Sequence, residues 1–572
     1  MVDLKTLFKD YVDSRAFSSL VNLLGPVDDH SFQTKDGGLL VVVAMRGADP
    51  ECKEDQFLDS VANTSRSALS VFGERFVVNS FLLKRSNPAL ESVHFRNPVA
   101  DEASKNRHAL FMQKGTALYV YDAFLTITIK PEWKSPRAAD RLASFWKTPF
   151  ETFKTALGTQ TRIRVLDADV TRSLRLLHRA TNSFLEQTAE CLNTRLLTKE
   201  EAFLFFRRLL NPDPAKAIAV QLTKDSPTDS LAVDSECECY RDHLRLDNYF
   251  VKSLTLKQLP SRTFANILSK LSKIKADLAL VTEWSVVDTV KALAEIRSKR
   301  RHAHNTKIGL FSQIGSERPY ERELLFDESK EAAVSDLGEC LKAIEMRGIQ
   351  LGEFSLTVLI LAHSIEEAER ATAEVMKVIG SHDGALNEER YNGLNAFLAA
   401  LPGGYPYNLR KNLVTNENHA DMVSWFQPAE GERTNSFLRA GHLAAFETED
   451  RSLYFFNLHV QDVGHALILG PTGSGKSFLL NFLITHAQQY DPYTFIFDVG
   501  GSYRWLTELL GGSYVPFRPE LRSFSINPFC LEPTPGNLEF LFSFCKLLVE
   551  SDGHQMTDAQ ERDLLCAFGS AA

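Results

Sequence analysis

Nothing in these 572 residues supplies the length of apolar chain that a bilayer demands. A spanning helix needs about 20 consecutive apolar residues. The longest apolar runs here, around Leu39–Met45 and Leu356–Ala362, are strand-length and bounded by charge. The N-terminus, Met1-Val2-Asp3-Leu4-Lys5, lacks an apolar core followed by a small-residue cleavage site, so the chain is expected to stay on the cytosolic side. Cysteine is scarce and scattered, at positions 52, 191, 237, 239, 340, 530, 545 and 566. Only Cys237 and Cys239 are close, with His243 following, and two thiols cannot furnish the four ligands of a structural zinc site. Ordinary reduced thiols and no metal centre are expected. An excess of basic charge is missing as well: 64 Lys and Arg stand against 73 Asp and Glu, a net charge of -9. That balance counts against a protein whose main task is tracking along nucleic acid. Nucleic acid stays open as a partner, without support from charge.

The remaining composition is ordinary globular material, 44% hydrophobic and 24% charged, in a chain too long for a single core. The first 400 or so residues read as α+β. Strands are expected over Gly38–Met45, Phe76–Leu83 and Ala117–Lys130, the last alternating like a half-buried strand, with helices over Cys52–Phe72, Pro136–Ala156 and Asp167–Cys191. A second set begins near Asn248. It has strands over Tyr249–Leu256, Ala276–Val281 and Glu353–Ala362, and helices over Val286–His304, Ser329–Arg347 and Ile365–Gly380. The Asp-, Ser- and Pro-rich stretch Thr223–Ser235 reads as a linker, and Leu401-Pro-Gly-Gly-Tyr-Pro406 as a second boundary. The expected division is 1–235, 236–425 and 426–572. The basic run Arg297–His304 ends an expected helix, where cations complement the dipole; an anionic partner is the alternative.

The chemistry lies near residue 470. Ala466–Leu469 is a short apolar run, Gly470-Pro-Thr-Gly-Ser-Gly-Lys-Ser477 matches G-x-x-x-x-G-K-[ST], and Phe478–Ile484 opens an amphipathic helix. Strand, glycine loop and helix N-terminus form the context this motif requires. Gly470, Gly473 and Gly475, with Pro471, Thr472 and Ser474, let successive amides turn inward around a polyphosphate. The helix N-terminus adds partial positive charge. Lys476 is placed to reach the β and γ phosphates and serve as the catalytic cation, Ser477 to ligate Mg²⁺, and Phe478 continues the cradle. ATP is the expected nucleotide, since no N/T-K-x-D guanine signature follows Ser477 and no L-S-G-G-Q-like helix marks an ABC-type ATPase. Tyr493-Thr-Phe-Ile-Phe-Asp498 has the shape of a strand ending in a Mg²⁺ carboxylate. It comes after Lys476 with room for only one helix and a turn between; a kinase-like sheet would set the two strands side by side with Asp498 as the Mg²⁺ carboxylate, whereas a RecA-like sheet has another strand between them.

Phe456-Asn-Leu-His459 and Asp462-Val-Gly-His465, leading into the loop, resemble the large conjugation and type IV secretion ATPases, the TraC and TrbE-like group. So do Phe497-Asp-Val-Gly-Gly-Ser-Tyr503, Leu509-Leu-Gly-Gly-Ser-Tyr514 and Ile526-Asn-Pro-Phe529. The likeness is specific over Phe456–Phe529 and diffuse before it. It implies an α+β N-terminal region followed by an α/β RecA-like P-loop NTPase domain, with Asp498 a second-strand residue near the site. It further implies a ring-forming, hexamer-like ATPase at the cytoplasmic face of a bacterial inner membrane. Its partners would be channel proteins and other secretion ATPases, and its work pilus assembly and substrate transfer. At Val499-Gly500-Gly501 part of the group has Lys-Gly-Arg, so this chain offers no arginine there. The group's Walker B carboxylates, catalytic glutamate and trans-acting arginine are expected beyond Ala572. The P-loop domain is therefore expected to be incomplete at its C-terminus, and the 572-residue chain to bind ATP without useful turnover. A HerA/FtsK-like DNA translocase and a non-hydrolysing nucleotide-binding scaffold are the competing readings.

Overall fold

The computed structural model of the chain describes residues 17–86, 90, 94–114, 117–131, 159–222, 232–288, 349–516, 527–550 and 555–569. The helices expected over 136–156 and 329–347, nearly all of that over 286–304 with its basic run, and most of the 223–235 linker lie outside the described residues. The chain divides into two units, one of Met1–Leu469 with Leu483–Asp491, the other of Gly470–Phe482 with Pro492–Ala572.

The first unit is built on one antiparallel sheet. Its centre comprises β1 (Leu39–Met45), β2 (Phe76–Ser86), β3 (Tyr119–Ile129), β4 (Tyr249–Gln258), β5 (Asp277–Val286) and β6 (Leu351–Ala362). The spatial order is β1-β3-β2-β5-β6-β4. Read inward from either edge, each half has the same pattern, first strand, third strand, second strand. The likeness extends outward. A hairpin strand precedes β1 (Ser31–Gln33) and β4 (Leu244–Leu246), each paired with the strand it precedes. After the long helix that follows each half's third strand, a short strand returns to that same first strand, Thr194–Leu196 to β1 and Ala385–Glu388 to β4. The two halves meet where β2 pairs with β5, centred on Phe81 opposite Val281, and Ser80 Oγ lies 2.6 Å from Thr282 Oγ1 at that joint. The stretch 223–235 thus separates two halves of one continuous sheet.

Helices cover both faces. On one lie Asp55–Leu69, Thr159–Leu192 and Ile365–Gly380, whose Val61, Phe184, Val375 and Ile379 pack on Val41, Val43, Ile127 and Val358. On the other lie Lys199–Leu210 and Gly393–Ala399, whose Phe203, Phe205, Phe206 and Phe397 meet Leu40, Val42, Phe81 and Phe124. This two-sided cover changes one expectation. The alternation in Ala117–Lys130 suggests a strand with one wet face, but β3 is buried on both faces over most of its length, Thr126 and Thr128 included. The threonines mimic a solvent face, because a β-branched residue satisfies strand packing whether or not it carries a hydroxyl. The turn at 401–406 is tied back to the first residues of the unit. Asn22 Nδ2 donates to the Gly403 carbonyl at 2.8 Å, and the Tyr407 hydroxyl donates to the Leu20 carbonyl at 2.8 Å.

The second unit holds the helices Arg504–Leu509, Pro535–Val549 and Asp558–Gly569 and the opening turns of Lys476–Ala487. Lys546 and Glu561 join the last two helices at 2.6 Å, and Phe529 stacks parallel to Phe568. The strand expected at Tyr493–Asp498 forms no ladder among the described residues, and neither does Ala466–Leu469 in the first unit. Tyr493, Phe495, Phe497 and Val499 are all largely exposed, with Tyr493 98% accessible. Their alternate spacing is that of one strand face, but a strand exists only where neighbouring backbone satisfies its amides and carbonyls.

Candidate nucleotide-binding site

The glycine loop runs directly into a helix that sets its geometry. Helix Lys476–Ala487 begins on the lysine of the motif, so its unpaired first-turn amides face the loop. Gly473 and Gly475 have φ of +83° and +93°, a region closed to most L-residues, and no heavy atom lies within 4 Å of where a Cβ would stand on either. The two glycines thus give the backbone its reversal and leave the cradle open. The loop is braced by Ser474 N donating to the Pro471 carbonyl at 3.2 Å and Leu479 N donating to the Gly475 carbonyl at 2.9 Å. Lys476 Nζ donates to the carbonyls of Gly470 and Pro471 at 2.7 and 2.9 Å. The ammonium is therefore held at the mouth of the loop.

Pro471, Thr472, Gly473, Ser474 and Gly475 are exposed in the loop, and Ser477 and Phe478 are exposed in the first helical turn. Asn481 Nδ2 donates to the Ser477 carbonyl at 2.9 Å, the ordinary back-bond of a helical side chain. Asp498 accepts a hydrogen bond from the Tyr503 amide at 3.3 Å, at the start of the Arg504–Leu509 helix. That carboxylate has a local structural task, stabilising a helix entry.

Two other clusters resemble chemistry and do not have its geometry. Asp28, Ser31 and His178 come together in the first unit, but Ser31 Oγ (3.2 Å) and Asp28 Oδ2 (3.0 Å) approach the same ring nitrogen, Nε2. A nucleophilic relay needs the hydroxyl on one nitrogen and the carboxylate on the other. Here the imidazole ties the long Thr159–Leu192 helix to the turn before Ser31–Gln33. Cys237 and Cys239 share one face of an edge strand, and burial pushes the Cys237 thiol up to about 12, opposite to the direction a reactive thiolate requires. Among the described residues no group of three or more metal-ligating side chains gathers.

An antiparallel platform preceding a glycine loop at a helix N-terminus defines a P-loop protein with a large N-terminal domain. Two family models agree with that anatomy: residues 30–136 match the N-terminal domain of the type IV secretion system ATPase VirB4/TrbE, and residues 458–550 match the TraG P-loop domain. The chain is similar to type IV secretion system protein virB4 of Bartonella quintana, 24% identical over 560 residues, covering 95% of this chain and 66% of that protein. It is similar to conjugal transfer protein TrbE of Rhizobium radiobacter, 23% identical over 571 residues with the same shares. Over 335 residues it is 24% identical to type IV secretion system protein PtlC of Bordetella pertussis, covering 56% of this chain and 38% of that protein. The relatives of this chain are thus the VirB4/TrbE type IV secretion ATPases, as the resemblance over Phe456–Phe529 implies. The chain spans about 66% of the length of the first two relatives.

Proposed function

We propose that this chain is the nucleotide-binding, energy-transducing component of a bacterial type IV secretion or conjugation apparatus. The observation that carries this reading is an open glycine cradle at the head of Lys476–Ala487, in the same chain as a VirB4/TrbE N-terminal domain. Residues 426–572 supply the ATP-holding part of a RecA-like domain. Residues 1–235 and 236–425 supply the platform that docks on channel proteins and partner ATPases at the cytoplasmic face of the inner membrane, within a ring of like subunits.

Gly470 to Gly475 would cradle the phosphates, Lys476 would neutralise the β and γ oxygens, and the Ser477 hydroxyl would hold Mg²⁺. A divalent cation held by Ser477 would supply positive charge against the negative charge that develops in phosphoryl transfer. Asp498 assists as a neighbour and not as the principal Mg²⁺ carboxylate, and its Oδ2 accepts the Tyr503 amide at a helix entry.

Replacing Lys476 by alanine should weaken ATP binding about 10- to 100-fold, the worth of one or two charge-assisted hydrogen bonds. The melting temperature should not move, because the lysine packs in no core. Fluorescent-nucleotide titration of the folded variant checks this, and unchanged affinity would overturn the assignment. Asp498→Asn should cost clearly less in the same titration; equal losses in both variants would make Asp498 the metal carboxylate.

A further inference from the structure

The first unit contains a pocket that the nucleotide reading does not use. It lies between the Pro98–Gln113 helix, the strand Ala444–Glu447 with the turn before it, and the residues around His486 and Gln489. Its volume, measured out to open solvent, is about 410 Å³, and its polar lining is Ser104, Arg107, His108, His442, His486 and Gln489. We propose that this pocket binds a small phosphate-type oxyanion.

The lining favours negative charge. It contains a guanidinium and three imidazoles, and none of the described residues that line it is acidic. Glu447, the carboxylate whose charge reaches Arg107, is itself paired with Lys114 at 2.8 Å. Arg107 is fixed, with its Nη2 donating to the Ala445 carbonyl at 3.3 Å and its guanidinium carbon 4.4 Å from the centre of the Phe111 ring. Stacking on a ring holds the guanidinium in one plane, the geometry in which its donors match an oxyanion. His108 Nδ1 is buried and has no hydrogen-bond partner. The wall opposite is rigid. Gln489 Nε2 donates to the carbonyls of His442 and Leu443, both at 3.1 Å, and the Tyr490 hydroxyl donates to the Gly441 carbonyl at 2.7 Å. An oxyanion accepts from several directions at once, as a guanidinium and ring nitrogens set around one pocket require.

The test uses the full chain carrying Lys476→Ala, which weakens the glycine loop's hold on phosphate. Titration calorimetry with inorganic phosphate should show saturable binding, weakened at least tenfold by Arg107→Gln. His108→Phe, which keeps a ring of similar shape, should weaken it in the same direction and carries the test if the arginine variant does not fold. A second arm floats the protein on vesicles of equal parts phosphatidylglycerol and phosphatidylcholine. Flotation abolished by Arg107→Gln identifies the oxyanion as a lipid headgroup; phosphate binding without flotation identifies a free phosphate. No saturable phosphate binding and no arginine-dependent flotation, or affinities unchanged in both folded variants, would overturn the proposal.

Discussion

Gly352 on β6 has no side chain because a neighbour occupies the place. A Cβ there would stand 2.5 Å from the edge of the Trp284 ring, which crosses from β5 and stacks on His419 at 4.6 Å and 7°. Gly352→Val should therefore destabilise the first unit by about 2–3 kcal/mol through overpacking. A lowered urea midpoint with an unchanged slope would confirm it. His419 is itself fully enclosed, and burial pushes its imidazole down to about 3. In the unfolded chain it titrates near 6.5. Between those values the unfolded state binds a proton that the folded state refuses. Stability is therefore full above about pH 6.5 and falls as the pH drops toward 3, by up to about 1.4 kcal/mol per pH unit. His419→Leu should flatten that part of the stability–pH curve. A variant as acid-sensitive as the parent would show that the acid slope originates elsewhere.

The Lys199–Leu210 helix shows how one element is specified from several sides. Thr198 and Glu201 form a reciprocal capping box at its start, and Phe203, Phe205, Phe206, Leu209 and Leu210 bury against the sheet. Thr198→Ala should cost about 1 kcal/mol. Arg207 is entirely enclosed and donates to the carbonyls of Ala217 and Lys216 and to Asp234. Arg207→Leu should cost about 3 kcal/mol, because burying those acceptors without their donor is the larger penalty. A cost no greater than that of the Thr198 variant would contradict this. Such features differ in how far the sequence alone shows them. Ile365–Gly380 is legible because its apolar period and serine cap are local, and the glycine loop because its whole chemistry is contiguous. The short strands Thr194–Leu196 and Ala385–Glu388 carry no period of their own and exist through partners distant in sequence, while Ser31–Gln33 and Cys237–Cys239 are hairpin strands too short to show a period. The pocket is hidden for the same reason, since Arg107, His108, His442 and His486 gather only in the folded chain. The segment 493–499 errs the other way, with a clear strand pattern and no strand paired to it among the described residues.

At the scale of the molecule the governing fact is that two like halves share one sheet. A fragment ending at residue 235 should behave poorly, because it keeps β1, β2 and β3 but leaves β2 from Val78 to Lys84 without its second neighbour. It should aggregate or expose dye-binding apolar surface, whereas a fragment carrying both halves, residues 1–465, should stay monodisperse in size-exclusion chromatography; equal behaviour of the two would argue against the shared sheet. The same joint bears on synthesis. β5 leaves the ribosome long after β3, and at roughly 5–20 residues per second the wait is on the order of ten seconds. During that interval β2 offers Phe76 to Leu83 as a naked template for any passing strand. Lys84 and Arg85, at the end of that run, are the charges that deter such a partner. Once the second half arrives, Lys84 is enclosed, its ammonium donating to the Ser272 and Ile274 carbonyls and its pKa drawn down to about 8 by burial. A residue that guards the nascent chain thus becomes a clasp between the halves, and losing it should reduce the yield of folded protein in the cell more than the stability of the molecules already folded.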